Sequence, residues 1–93
     1  MNNKIILNKT WSVYLLKCSD NSLYCGVTNN LENRLIKHNK GAASKYTRAR
    51  LPVELAAMKN NLTKKEAYKI EYQVKKMPAG KKITTLENRD FFR

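Results

Sequence analysis

Acidic side chains are scarce in this chain. Seven Asp and Glu stand against nineteen Lys and Arg, which leaves a formal charge of +12 on 93 residues. A surface so one-sided attracts polyanions, with nucleic acid the first partner it points to and an acidic membrane surface a distant second. Cysteine is scarce too. Cys18 and Cys25 cannot build a dense disulfide framework, and with no Cys-x-x-Cys pair and His38 the only histidine, zinc clusters and multi-histidine metal sites are excluded. The longest early apolar run, Ile5-Ile6-Leu7, falls short of the roughly 7–15 residues of a signal-peptide core. Nothing approaches the roughly 20 apolar residues of a membrane span. The expectation is a cytoplasmic protein with reduced thiols, no membrane and no small-molecule cofactor.

Three glycines and two prolines leave no linker, and no repeat or low-complexity tract interrupts the chain. A hydrophobic content of 42% is ordinary for a folded protein. One domain, 1–93, is therefore expected, its core at about 11–77 and a C-terminal helical segment at 78–93. Residues 12–18 (SVYLLKC) and 23–28 (LYCGVT) are rich in β-branched and aromatic side chains, and Ser19-Asp20-Asn21-Ser22 separates them, a hairpin signal. A helix follows, with Asn29 as N-cap, Glu32 completing a capping box and Gly41 as its C′ residue. Residues 41–52 (GAASKYTRARLP) read as a basic loop and 52–59 (PVELAAMK) as a third strand. A second capped helix begins at Thr63, with Glu66 in its capping box, and runs to about Lys76. Pro78 begins a last segment, helical to about residue 92, with Ile83 and Leu86 on one side. The fold class is α/β in the broad sense, more strictly α+β: a small, mostly antiparallel sheet flanked by two or three helices, in the order β-β-α-β-α-α.

The stretch from 13 to 39 holds Tyr14, Tyr24, Arg34 and His38, more polar chemistry than core packing requires. A two-residue turn would pair residue 17 with 24 and put the two tyrosines on opposite faces. A three-residue turn pairs 16 with 24 and brings both rings to one face. Asn21 tolerates the left-handed conformation such a turn needs, so the odd-length loop is expected. Cys18 and Cys25 then face opposite ways and cannot bridge. Arg34 and His38, four apart, share a helix face beside a core stripe begun by Leu31 and Leu35. A guanidinium fork suits a phosphate. Taken singly, Arg34 reads as a solvated charge, His38 as a surface or capping histidine, and each tyrosine as strand packing.

Together they resemble a GIY-YIG nuclease domain. The resemblance is carried by Val13-Tyr14, then Tyr24-Cys25-Gly26, then Arg34 and His38 on the next helix. It continues through GAASKYTRARLPVEL (41–55) and EAYKIEYQVKK (66–76), covering roughly residues 11–77. These segments are similar to the small stand-alone bacterial members, which are similar in turn to the catalytic domain of a structure-specific endonuclease acting on branched DNA. Two departures stand out. Ser12 replaces the glycine of the first tripeptide, and Cys25 an aliphatic residue of the second. Both spare the tyrosines and Gly26.

The resemblance implies a three-stranded antiparallel sheet flanked by helices and a metal-dependent endonuclease hydrolysing DNA phosphodiesters. It implies catalytic roles for Tyr14, Tyr24, Arg34 and His38, and a glutamate holding Mg²⁺ or another divalent cation such as Mn²⁺. The matching glutamate is Glu71, in Ile70-Glu71-Tyr72. Glu71 borders the apolar stripe of its helix, where a carboxylate is costly unless paired or bound to a cation. The plain alternative is an ion pair with Lys75. Glu32 and Glu66 are explained by capping, and Glu54 by the solvent side of the third strand. Lys45, Arg48 and Arg50, with Tyr46 among them, would track the nucleic-acid backbone. DNA is the expected partner, with RNA as an alternative and a role in DNA repair or recombination. The competing reading is a non-catalytic nucleic-acid-binding module on the same fold.

Overall fold

The computed structural model of the chain describes residues 8–88. Strand β1, Trp11–Lys17, lies between β2, Leu23–Thr28, and β3, Glu54–Leu62, and pairs antiparallel with both. Helices α1, Leu31–Asn39, and α2, Lys45–Arg48, separate β2 from β3, and α3, Lys64–Lys75, and α4, Ala79–Glu87, follow it. The expected sheet and element order are present, with α2 added.

Apolar side chains alternate to both faces of β1, so the central strand is buried on both sides. On one face Val13 and Leu15 pack with Cys25, Ala57 and Leu62 under Ala67, Ile70 and Val74 of α3 and Leu86 of α4, with Ile83 alongside. On the other, Tyr14, Leu16, Cys18 and Val53 pack with Tyr24, Leu31, Leu35 and Leu51. The sheet is a partition between two small clusters, and the tyrosines belong to the second.

The hairpin has the odd-length turn. Leu16 pairs with Tyr24 and Lys17 with Leu23, while Asn21 takes a left-handed φ of 68°. Cys18 N–H donates to the Ser22 carbonyl at 2.9 Å and closes the loop. Both cysteines are free and buried, one in each cluster.

Helix α1 starts one residue later than expected. Its N-cap is Asn30, whose side chain accepts from Asn33 N–H at 3.1 Å, so Glu32 is not a capping-box partner. The reason lies just upstream, where Thr28 Oγ1 accepts from Asn30 N–H at 3.0 Å and sets where the chain turns. Gly41 closes the helix as expected. At φ 75°, its N–H donates to the His38 carbonyl at 2.9 Å, and Ala42 N–H donates to the Lys37 carbonyl at 3.0 Å.

The segment expected as a plain loop contains α2, capped by Ser44 Oγ accepting from Thr47 N–H at 3.1 Å. Strand β3 begins and ends later than expected. Pairing of Trp11 with Leu62 and the bond from Ser12 Oγ to Asn60 Oδ1, 2.6 Å, carry it through Lys59-Asn60-Asn61, where apolar alternation fails. Glu54 is exposed, as expected. The capping box of α3 is complete: Glu66 N–H donates to Thr63 Oγ1 at 3.1 Å, and Thr63 N–H to Glu66 Oε1 at 2.8 Å. At the other end, Lys82 Nζ donates to the carbonyls of Val74 and Lys75 at 3.1 and 3.0 Å. The last four residues expected in the final helix lie outside the described residues.

Thr63→Ala should lower stability by about 1 kcal/mol in urea denaturation. Asn29→Ala, at an exposed position outside the cap, should leave it unchanged. Equal losses would contradict the caps assigned.

Candidate active site

Tyr14 reaches across the sheet to its partner strand, where its ring lies directly on Gly26. A Cβ at residue 26 would sit 2.5 Å from the Tyr14 hydroxyl and 2.6 Å from Cζ. The glycine is there for the space it leaves. The tyrosine is only 2% exposed, and its hydroxyl lies 2.8 Å from Nε2 of His38 on α1. His38 is 1% exposed, a core residue and not the surface or capping histidine its isolated position implied. Its Nδ1 lies 2.8 Å from Oγ1 of Thr47, which is fully buried on α2 and in turn 2.8 Å from Ser44 Oγ.

Burial sets the protonation of this chain of groups. It pushes the Tyr14 phenol well above its ordinary range, an effect reinforced by Tyr24 and opposed by Arg34. It pulls His38 below the ordinary imidazole value, with Arg34 adding to the shift. Both groups are neutral near pH 7. Among the described residues the Tyr14 hydroxyl has no other acceptor, so the consistent arrangement has Tyr14 donating to Nε2 and the ring proton on Nδ1 donated to Thr47 Oγ1. Every polar atom of the chain is satisfied.

Tyr24 is half-buried beside it, with its ring centroid 6.5 Å from that of Tyr14 and 5.2 Å from that of His38. Tyr46 stacks on Tyr24 at 5.9 Å, and the Arg50 guanidinium lies 3.8 Å above the Tyr46 ring. Arg50 also pairs with Asp20 of the hairpin turn at 3.0 Å and donates to the Tyr46 carbonyl at 2.9 Å. It ties the turn to α2 before it can meet any phosphate. Lys45 and Arg48 are exposed. Arg34 is half-buried, and among the described residues its guanidinium has neither an ion-pair nor a hydrogen-bond partner. Its charge is felt by both Tyr14 and His38.

Glu71 approaches from elsewhere. Helix α3 packs on the opposite face of the sheet, with Ile70 and Val74 in one cluster with Cys25. Oε2 of Glu71 makes the alternative ion pair with Lys75, at 3.2 Å. The Glu71 charge nevertheless reaches Tyr14, as the weakest of the influences on the phenol, and Cys25. Burial first and Glu71 second push the Cys25 thiol up to about 12, so it is a packing group and not a nucleophile. Tyr14, Tyr24, Arg34 and His38 are thus brought together, with Glu71 across edge strand β2. Thr47 and Ser44 were not anticipated. The signal was Ser44 three residues before Thr47, a helix N-cap hidden in a stretch that reads as basic loop.

Comparison with known proteins agrees with this fold. The family model described as the GIY-YIG catalytic domain matches residues 10–83. The chain belongs to the GIY-YIG nuclease superfamily. Similar relatives include a UPF0213 protein of Nitratidesulfovibrio vulgaris, 43% identical over 79 residues, 85% of this chain and 72% of that protein. A UPF0213 protein of Bacillus pumilus is 50% identical over 74 residues, 80% of this chain and 76% of its own length. The solution NMR structure of a UPF0213 protein from Bacillus halodurans superposes with a TM-score of 0.52 at 37% identity, covering 88% of this chain and 89% of that one.

The two departures from the GIY-YIG tripeptides now have structural explanations. Ser12, in place of glycine, uses its hydroxyl to hold Asn60 of β3. Cys25, in place of an aliphatic residue, sits in the α3-facing core.

The lowered His38 value carries a pH consequence with a definite sign. The unfolded chain takes up a proton near 6.5, before the folded chain does, so stability is full above that value and lost as pH falls through the folded one. Asp20 and Glu66 are held below ordinary values of 3.8 and 4.5, so they act only at lower pH. Urea denaturation between about pH 7.5 and 5.5 should therefore show stability falling, and His38→Gln should flatten the dependence. A flat profile in the parent chain would contradict the buried neutral imidazole.

Proposed function

We propose that this protein is a metal-dependent endonuclease that hydrolyses DNA phosphodiester bonds in the cytoplasm. Its selectivity would be for strand structure and not base sequence, in DNA repair or recombination. The observation that carries this reading is the buried Tyr14–His38–Thr47 chain set beside the unpaired Arg34. No helix of the described residues is long and apolar enough to cross a membrane.

Phosphodiester hydrolysis needs an oriented water, a place for its proton and positive charge around the phosphate. Arg34 supplies the last, with its fork toward two phosphate oxygens. The Tyr14 oxygen takes the proton of the attacking water as its own proton passes to His38 Nε2. Water oxygen bonds to phosphorus and the bond to the leaving oxygen breaks. That oxygen departs as an alkoxide and takes a proton from solvent, and the imidazolium keeps its other proton on Nδ1, donated to Thr47 Oγ1. At rest Arg34 helps to hold His38 neutral. A phosphate bound to Arg34 offsets that charge, so His38 becomes a better base only when substrate is present. Tyr24, half-exposed at the mouth, packs its ring against His38 and keeps it aligned.

Among the described residues no group of three or more His, Cys, Asp or Glu could hold a metal ion. The fit is instead to a hard cation on one carboxylate, Glu71, with water and phosphate completing its shell, a mode suited to Mg²⁺ or Mn²⁺. Oε2 is engaged by Lys75, which would be shared or displaced. Such a cation supplies charge stabilisation at the leaving oxygen when bound. Lys45 and Arg48 extend the positive surface for the DNA backbone, with Arg50 in a supporting role. RNA would meet the same charges.

A non-catalytic binding module would explain the charge and the tyrosines. It would use Arg34 as a phosphate contact, but it gives a carboxylate near that phosphate no role, since Glu71 repels an anion unless a cation sits between them.

Labelled branched, single-stranded and duplex DNA should be cut by the parent chain with Mg²⁺. Glu71→Ala and Tyr14→Phe should each lose on the order of 10²-fold or more in rate. No cutting of any substrate, with salt-sensitive binding unchanged by Glu71→Ala, would assign the binding module instead.

A further inference from the structure

Helix α3 has a largely exposed face outside both the core and the candidate active site. Ala67, Ile70 and Val74 point into the core, and Glu71 lies at the edge of that stripe. At about 100° per residue, the surface beyond Glu71 passes Tyr68 and Tyr72 and then Lys65, Lys76 and Lys69. All five side chains are exposed. Neither acidic residue of α3 offsets the lysines: Glu66 is held by the capping box and Glu71 by Lys75. The face is basic and aromatic together.

The two tyrosines differ in how far packing accounts for them. Tyr68, 47% exposed, lies 6.0 Å from the Trp11 ring and helps to cover it. Tyr72 is 63% exposed, and among the described residues its ring contact is the Lys76 ammonium, 4.2 Å from its centroid. A ring this exposed contributes little to the core, and its contact with Lys76 is a modest surface interaction. Beside three lysines it is a stacking platform, because a base stacks on an aromatic ring while ammonium groups hold the adjoining phosphates. A paired base keeps both faces inside its duplex, so only an unpaired strand can use such a ring.

We propose that the exposed face of α3 is a second nucleic-acid contact, on which an unpaired strand stacks a base on Tyr72 and runs its phosphates along Lys65, Lys69 and Lys76. This rests on the reading of the substrate as DNA, and narrows it to substrates that carry a single-stranded segment next to the cut. Tyr72 directly follows Glu71, so the strand would enter or leave the site over this helix.

The test is equilibrium binding of fluorescein-labelled oligo(dT) and of a blunt duplex to the full chain, by fluorescence anisotropy in EDTA. Tyr72→Ala should weaken oligo(dT) binding about tenfold, leave its salt dependence unchanged, and be rescued by Tyr72→Phe. Lys65→Ala with Lys69→Ala should weaken binding and lower the salt slope by about 0.7 for each phosphate no longer neutralised. Duplex affinity should not respond to Tyr72→Ala. Parent-like oligo(dT) binding by Tyr72→Ala, or an equal loss for duplex, would overturn the proposal. With metal absent, the result does not depend on cleavage. A chain that binds through Tyr72 but never cuts would refute the nuclease reading alone.

Discussion

The hydrogen bond between Tyr14 and His38 is the constraint on which the rest of the site depends. It joins the central strand to α1, and through Thr47 it joins α1 to α2. A buried hydroxyl and a buried imidazole are each costly alone, and each is the other's remedy. For the bond to form, the Tyr14 ring must lie flat across β2, which demands Gly26 beneath it. It also requires α1 to end where Gly41 turns the chain, so that α2 can return Thr47 to the imidazole. Gly26 and Gly41 are thus fixed by one interaction, the first by space and the second by backbone conformation.

The sheet partitions the chemistry as well as the core. The Tyr14–His38–Thr47 chain lies on the α1 side and Glu71 on the α3 side, so a phosphate meeting both, as proposed, would sit at the edge of β2. Nearby cysteines take no part, since both are buried and Cys25 holds its proton. Exposed basic side chains stand on both α2 and α3. Arg50 shows that not every cation is available to a ligand: its guanidinium already joins the hairpin turn, Tyr46 and α2.

Much of this was legible in the sequence wherever the cause was local. Asn21 tolerates a left-handed turn, and that alone put both tyrosines on one face. Thr63 and Glu66 carry their capping box within four residues, and Gly41 marks a helix end by itself. What was not legible depends on contacts distant in sequence. Asn29 and Asn30 have the same chemistry, and Thr28 at the end of β2 chooses between them. The polar end of β3 is strand because Trp11 and Ser12 pair with it. His38 gives no sign of burial until Tyr14 and Thr47 arrive from 24 positions before and 9 after. Glu71 is legible as an edge carboxylate with Lys75 as an available partner, and the pair is present; its use toward a cation rests on chemistry beyond the fold.

The most direct measurement is a nitrogen-15 NMR titration of the His38 imidazole in the folded chain. A neutral ring protonated on Nδ1, with Nε2 accepting a hydrogen bond and titrating below the ordinary 6.5, is the expected result. It should revert to mixed tautomers in Tyr14→Phe. An imidazole that exchanges between tautomers and titrates at its ordinary value in the parent chain would contradict the buried proton chain and the catalytic reading built on it.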